Sequence, residues 1–293
     1  MKILLIGSKG QLGTDLLRTF AAGGHQVVAA DHAAFEVCHE TQVEAVVAEA
    51  RPDIIVNTAA FHKVEECEKQ PLRSFEVNAL GALNLARASS RHRAVLVHFS
   101  TDYVFDGKKQ APYEESDPAS PLNVYGASKV AGENLIAANS ERYFIVRTCG
   151  LYGHAGSSGK GGNFVETMLK KAGGGGPIRV VDDQILTPTS TTDLATMISR
   201  LIATEAFGLY HASCEGACSW YEFAREIFDL EKLPVELSPV RTSDFPSPVQ
   251  RPPYSVLSKQ RLRRLGIQVP PWQASLSRYL AARECTAASS ISA

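Results

Sequence analysis

The chain has 293 residues, 44% of them hydrophobic, and its 30 Lys and Arg against 31 Asp and Glu leave a net charge of -1. That length carries one large domain or two modest ones with a sizeable core. The even charge offers no basic surface for nucleic acid and no basic amphipathic block for a membrane surface. No run approaches the roughly 20 apolar residues of a membrane span.

The first predicted element is a strand, "KILLIG" at 2–7. Glycine ends its apolar run too early for a secretory signal, so a cytoplasmic location is expected. A helix follows at 11–22, where Leu12, Leu16, Leu17 and Phe20 recur at helical spacing. Next come strand 25–31, helix 41–50, strand 52–59, helix 74–90, strand 94–102, helix 123–139 and strand 143–153. Unbroken apolar strands alternating with helices predict a doubly wound parallel sheet of Rossmann type, with right-handed crossovers. After residue 153 the rhythm breaks at a Gly/Ser/Lys loop, 154–163, and at "AGGGGPI". We therefore read residues 1–153 as a nucleotide-binding unit, joined again by the chain near 186–210. Residues 154–285 then form mainly a smaller substrate-binding lobe. The small, polar tail 286–293 is expected to be disordered. Six scattered cysteines lack any CxxC spacing and read as reduced thiols packed like small apolar residues.

The first strand runs into "GSKGQLG", with Gly7, Gly10 and Gly13 spaced three apart. Glycines there permit a tight turn and let backbone N–H groups and a helix N-terminus approach a pyrophosphate. Asp31 ends the second strand, the place of an acid that binds a ribose hydroxyl. It would repel a 2′-phosphate and leans toward NADH, while Lys9 and His32 offset it, so NADPH and NADH both stay open. After the third strand, Ala59, Ala60 and Phe61 fall where an adenine or ribose would lie, and the small alanines leave room.

Ligands of open α/β sheets lie beyond the carboxyl ends of strands. "FSTDYVFDG" at 99–107 ends the fourth strand there. On the next helix Tyr125 and Lys129 are four apart and share one face. A nearby cation favours a phenolate, so the pair suits a tyrosine that donates a proton beside a hydride donor. Ser100 or Thr101 would hold the substrate carbonyl. Each piece has an ordinary reading too: a surface Tyr–Lys pair, or a Ser-Thr-Asp cap. Their order along one sheet is what points to chemistry.

That order resembles the extended short-chain dehydrogenase/reductases, and among them the dTDP-4-dehydrorhamnose reductases. "GSKGQLG", "RPDIIVNTAAF", "FSTDYVFDG", "PLNVYGASKVAGE", "VVDDQILTPT" and "RPPYSVLSKQRL" carry the likeness across nearly the whole chain. The resemblance implies Thr101, Tyr125 and Lys129 as the catalytic group. It implies Gly10, Gln11, Leu12, Asp31, Ala60, Tyr125 and Lys129 around the cofactor, and Thr101 with Asp102 on the sugar. The implied reaction is reduction of the 4-keto group of dTDP-4-dehydro-L-rhamnose; the implied partner is a nucleotide sugar, and a homodimer is the assembly to consider. Epimerases, dehydratases and the regulatory subunits of methionine adenosyltransferase share the fold and are the alternatives.

Two positions depart from the family pattern. Family members often carry a tryptophan where "RTCGLYG" has Gly150, next to Cys149. Some bind a divalent ion through glutamates where this chain has Asp15 and Thr192, so no metal is expected. In the second lobe Arg251 is the candidate for a diphosphate. Asp182, Asp183, Gln184, Asn163 and Trp220 are weaker candidates, Trp220 being better suited to the core.

Overall fold

The computed structural model describes residues 1–31, 35–155, 162–245 and 247–291, with side chains as far as Arg283. His32 and most of the 154–163 loop lie outside the described residues. The chain runs β1 (Lys2–Ile6), α1 (Gln11–Ala22), β2 (Gln26–Ala30), α2 (Glu40–Ala50), β3 (Ile54–Asn57), α3 (Val64–Lys69) and α4 (Pro71–Phe75). A π-helical turn, Glu76–Leu80, leads into α5 (Gly81–Arg91) and β4 (Val95–Thr101). A 3₁₀ turn, Asp102–Val104, precedes α6 (Val124–Asn139), β5 (Tyr143–Thr148) and β6 (Leu151–Tyr152). Then come α7 (Phe164–Gly173), β7 (Ile178–Val181), β8 (Ile185–Leu186), β9 (Thr189–Ser190), α8 (Thr191–Leu201) and β10 (Gly208–His211). The last elements are β11 (Cys218–Ser219), α9 (Trp220–Leu230), β12 (Leu237–Val240), α10 (Gln260–Arg264) and α11 (Trp272–Ile291).

The main sheet has the order β10-β5-β4-β3-β1-β2, all parallel. Its strands are apolar on both faces because each face is covered. On one face Leu12, Leu16 and Phe20 of α1 and Leu194 and Ile198 of α8 cover Ile3, Leu5, Val97 and Val146. On the other, Val43, Val47, Leu85 and Ile136 cover Leu4, Ile55, Leu96 and Ile145. Each fully buried Leu or Ile contributes roughly 1.5–3 kcal/mol of apolar burial. β1 lies between β2 and β3, so the winding direction reverses there. That switch point opens a crevice at the carboxyl ends of β1 and β3.

A separate core around Phe223, Ile227, Trp272 and Leu276 builds the second lobe. Three details differ from the sequence expectation. The helix expected over 74–90 is instead split by the π turn, for a reason given below. The strand expected to reach 153 stops at Thr148, because Gly150 turns the chain with φ of 57°. The segment 286–293, expected to be disordered, continues α11 to Ile291; its alanines favour helix. Among the described residues, no helix is long and apolar enough to cross a membrane.

Candidate active site

The crevice is a cleft of about 1010 Å³ lined by the glycine loop, the ends of β3, β4 and β5, α6, and part of the second lobe. Its floor is backbone packed on backbone. A Cβ on Gly13 would lie 2.1 Å from the Gly7 carbonyl oxygen, and one on Gly7 would lie 2.4 Å from Thr58 Oγ1. The first turn of α1 has no acidic residue, and its N-cap, Gly10, has no side chain to bind the free N–H groups. An anion is the natural partner for such an end. Leu12 and Gln11 follow in that turn, and the Oε1 of Gln11 is buried without a hydrogen-bond partner among the described residues.

Asp31 lines the cleft at the end of β2 and is met by Lys9, Nζ to Oδ2 at 2.5 Å. Ala59, Ala60 and Phe61 form the facing wall. Asn78 clamps the Phe61 peptide from both sides, accepting its N–H at 2.9 Å and donating to its carbonyl at 2.9 Å. It also donates to Ser128 Oγ at 3.0 Å. This clamp accounts for the π turn. Asn78 belongs to the widened turn, and its backbone lies so close to α6 that a Cβ on Gly132 would be 2.3 Å from its oxygen. π turns concentrate at functional sites.

Thr101, Tyr125 and Lys129 meet in this cleft. The α6 N-terminus is fixed by Asn123, whose side chain accepts the Gly126 N–H at 2.8 Å. Gly126 lets that turn press on the 3₁₀ turn, since a Cβ there would be 2.2 Å from the Tyr103 oxygen. The approach brings the Tyr125 phenol into hydrogen-bond contact with the Thr101 hydroxyl. Thr101 Oγ1 donates its own proton to Asp102 Oδ1 at 3.1 Å. The Thr101 hydroxyl beside Tyr125 favours the phenolate and offsets part of the effect of burial.

The electrostatics correct one expectation. Tyr125 is held above the ordinary tyrosine value, not below it, because burial, joined by Asp102, Cys67 and Tyr103, disfavours the phenolate more than Thr101 favours it. Lys129 is brought down to about 8 by burial, opposed by Glu133. Asp102 is pushed up to about 6 by burial, although Ser255 Oγ donates to its Oδ2 at 2.6 Å. Ser255 thus ties the second lobe to the catalytic turn.

The remaining candidates divide. Arg251 does not line the cleft itself; it is paired with Glu65 and touches the Tyr103 phenol, both of which do, and is bonded to Ser247 at 3.2 Å. Trp220 and Asn163 line the cleft, Trp220 tilted at 41° against Phe164 with ring centroids 4.6 Å apart and Asn163 capping α7. Asp182, Asp183 and Gln184 are not in it. They brace the second lobe against Ser219 and Thr242. Asp15 is buried against Thr191 at 2.5 Å and Arg18 at 3.3 Å. Cys149 is buried, its thiol donating to the Thr187 carbonyl at 3.0 Å. Asn57, Asn78, His98 and Ser255 escaped the sequence reading. A polar residue amid an apolar strand was the available signal for the first and third.

The topology and this cleft define the extended short-chain dehydrogenase/reductase class. Within it, the family described as the RmlD substrate binding domain matches residues 1–285, and the chain belongs to that family. It is 41% identical to the spore coat polysaccharide biosynthesis protein SpsK of Bacillus subtilis, over 96% of this chain and 98% of that one. A dTDP-4-dehydrorhamnose reductase structure from Clostridium acetobutylicum superposes with a TM-score of 0.93 at 38% identity, covering 97% of this chain and 100% of that one. The Bacillus anthracis dTDP-4-dehydrorhamnose reductase in complex with NADP gives 0.91 at 40% identity, covering 96% and 99%.

Proposed function

We propose that this chain is an oxidoreductase that reduces the 4-keto group of dTDP-4-dehydro-L-rhamnose, or a related nucleotide sugar, to the alcohol of dTDP-L-rhamnose. The observation that carries the reading is the Tyr125 phenol bonded to Thr101, one helical turn before Lys129, in the cleft of the glycine cradle. The names of the relatives support the same substrate class.

The cleft suits NADH or NADPH. Gly7, Gly10 and Gly13 with the α1 N-terminus fit the pyrophosphate, and Ala59, Ala60 and Phe61 fit the flat wall of the adenosine half. Gln11 Oε1, Ser100 Oγ and Thr148 Oγ1, on the same lining, are buried polar atoms without hydrogen-bond partners among the described residues. When bound, the cofactor supplies a hydride to the sugar C4. Tyr125 gives its phenolic proton to the C4 oxygen. Thr101 holds that oxygen against the phenol, and Lys129 stabilises the charge left on Tyr125. Asp102 and Arg251 contact the sugar and its diphosphate. Asp31 alone favours NADH; paired with Lys9, it admits both forms.

The test is oxidation of NADPH and of NADH with dTDP-4-dehydro-L-rhamnose, comparing wild type with Tyr125→Phe. Wild-type turnover that collapses at least 100-fold in the variant is expected from loss of general acid catalysis, typically worth about 10²–10⁴. No consumption of either cofactor by the wild type would overturn the reading.

A further inference from the structure

Lys129 is 1% exposed, yet among the described residues no carboxylate forms a salt bridge with it. Its Nζ lies 3.0 Å from His98 Nε2. Glu133, the charged group that acts on it, is one turn along α6 and is held by Arg147 of β5 at 2.6 and 2.9 Å. His98 is itself 1% exposed, in the middle of β4. Its Nδ1 faces Asn57 Nδ2 of β3 at 3.1 Å, and its register partner on β5 is the apolar Ile145. Burial and the Lys129 charge hold the imidazole neutral.

The orientation of Asn57 is fixed, because its Oδ1 accepts the Ala59 N–H at 3.0 Å. Its NH₂ is then the group that meets His98, and Nδ1 must accept. A neutral ring that accepts at Nδ1 carries its proton on Nε2. That proton points at Lys129.

We propose that His98 is a positioning residue that keeps the charge on Lys129 conditional: its Nε2–H satisfies Lys129 as an amine and opposes it as an ammonium. The proposal rests on the proton-donor reading of Tyr125 and Lys129. Its consequence is that the ammonium finds little support within the protein's ground state. It is favoured most when an anion appears on Tyr125, so the interaction is stronger in the transition state than before it. The same chain ends at the Ala59 peptide, on the cofactor wall, and so links Lys129 to that wall.

Two measurements test this. The ¹⁵N spectrum of ring-labelled histidine in the unaltered protein, with His98 assigned through its backbone, reads the tautomer without turnover. Nε2–H is expected, and Nδ1–H would overturn the proposal. The alkaline limb of the kcat profile reads Lys129. In His98→Gln a carbonyl oxygen replaces Nε2–H and accepts from the ammonium, so the limb moves up by about one pH unit. In His98→Leu the donor that satisfied the amine and opposed the ammonium is gone with no acceptor in its place, so the limb moves up by less than in His98→Gln. No shift in His98→Gln, or a shift downward, shows a merely structural role and overturns it. A wild type without turnover sinks the reductase reading, while the tautomer still decides this one.

Discussion

Arg147 grips Glu133 through two parallel hydrogen bonds, Nε to Oε1 at 2.9 Å and Nη2 to Oε2 at 2.6 Å. Both side chains are buried, and the guanidinium lies 5.0 Å over the Phe105 ring. The pair ties β5 to α6 one turn beyond Lys129. Removing one partner of a buried pair leaves the other charge uncompensated, at a cost of about 3–5 kcal/mol. Glu133→Ala is expected to lose that much in urea unfolding. A loss below about 1 kcal/mol would show that the pair is not what holds α6 in place.

Asp102 sets a pH dependence of stability. Its folded value, about 6, is above the ordinary 3.8 because burial favours the protonated form. The sign follows from linkage: the contribution is fully present below the unfolded value and is lost as pH rises through about 6. A shift of about two units corresponds to roughly 3 kcal/mol. Asp102→Asn removes this titration. Its stability relative to wild type is expected to climb between pH 4 and 7, by up to that amount, in unfolding curves taken across the range. A constant difference would count against it.

Gly13 and Gly10 are expected to differ sharply. A Cβ at Gly13 meets the Gly7 carbonyl at 2.1 Å, whereas one at Gly10 approaches the same oxygen only to 3.2 Å. Overpacking of that kind costs typically about 1–3 kcal/mol. Gly13→Ala should weaken cofactor binding about 10- to 100-fold, read by fluorescence titration, and Gly10→Ala by much less. Equal effects would mean that the cradle is not set by this backbone contact.

Lys9 tests the cofactor preference. Its side chain is 82% exposed and its ammonium engages Asp31 at 2.5 Å. Lys9→Ala removes one positive charge from beside Asp31, and so weakens whatever attraction that end of β2 offers a 2′-phosphate. The ratio of kcat/KM for NADH over NADPH should rise by up to about fivefold, the range of an exposed charge contact. An unchanged ratio would remove Lys9 from the selection.

The sheet was legible because burial on both faces writes each strand as an unbroken apolar run, as in "KILLIG" and "AVLVHFS". The cleft residues were legible because their spacing is local: Gly7 to Gly13, or Tyr125 to Lys129. What stayed hidden depends on contacts distant in sequence. Asn57 and His98 are 41 residues apart and meet only through strand register. The π turn arises because Asn78 serves Phe61 and Ser128 at once, a demand absent from its helix-like neighbourhood. Asp182 and Asp183 looked equally chemical, yet tertiary packing spends them on Ser219 and Thr242.

Gly150 shows how a departure from a family pattern acquires a physical reason. Its φ is 57°, in the left-handed region, and a Cβ would lie 3.0 Å from both Leu186 Cδ1 and Pro188 Cα. A side chain here carries a backbone cost of roughly 1–2 kcal/mol before any contact is counted. Restoring the family residue as Gly150→Trp is therefore expected to destabilise the fold by at least that much, measured as a lower urea midpoint. It should not lower KM for the sugar, because the 186–188 segment must move before an indole can enter the cleft. A variant as stable as wild type with a lower KM would show that the 186–188 segment yields readily and that a tryptophan wall suits this substrate after all.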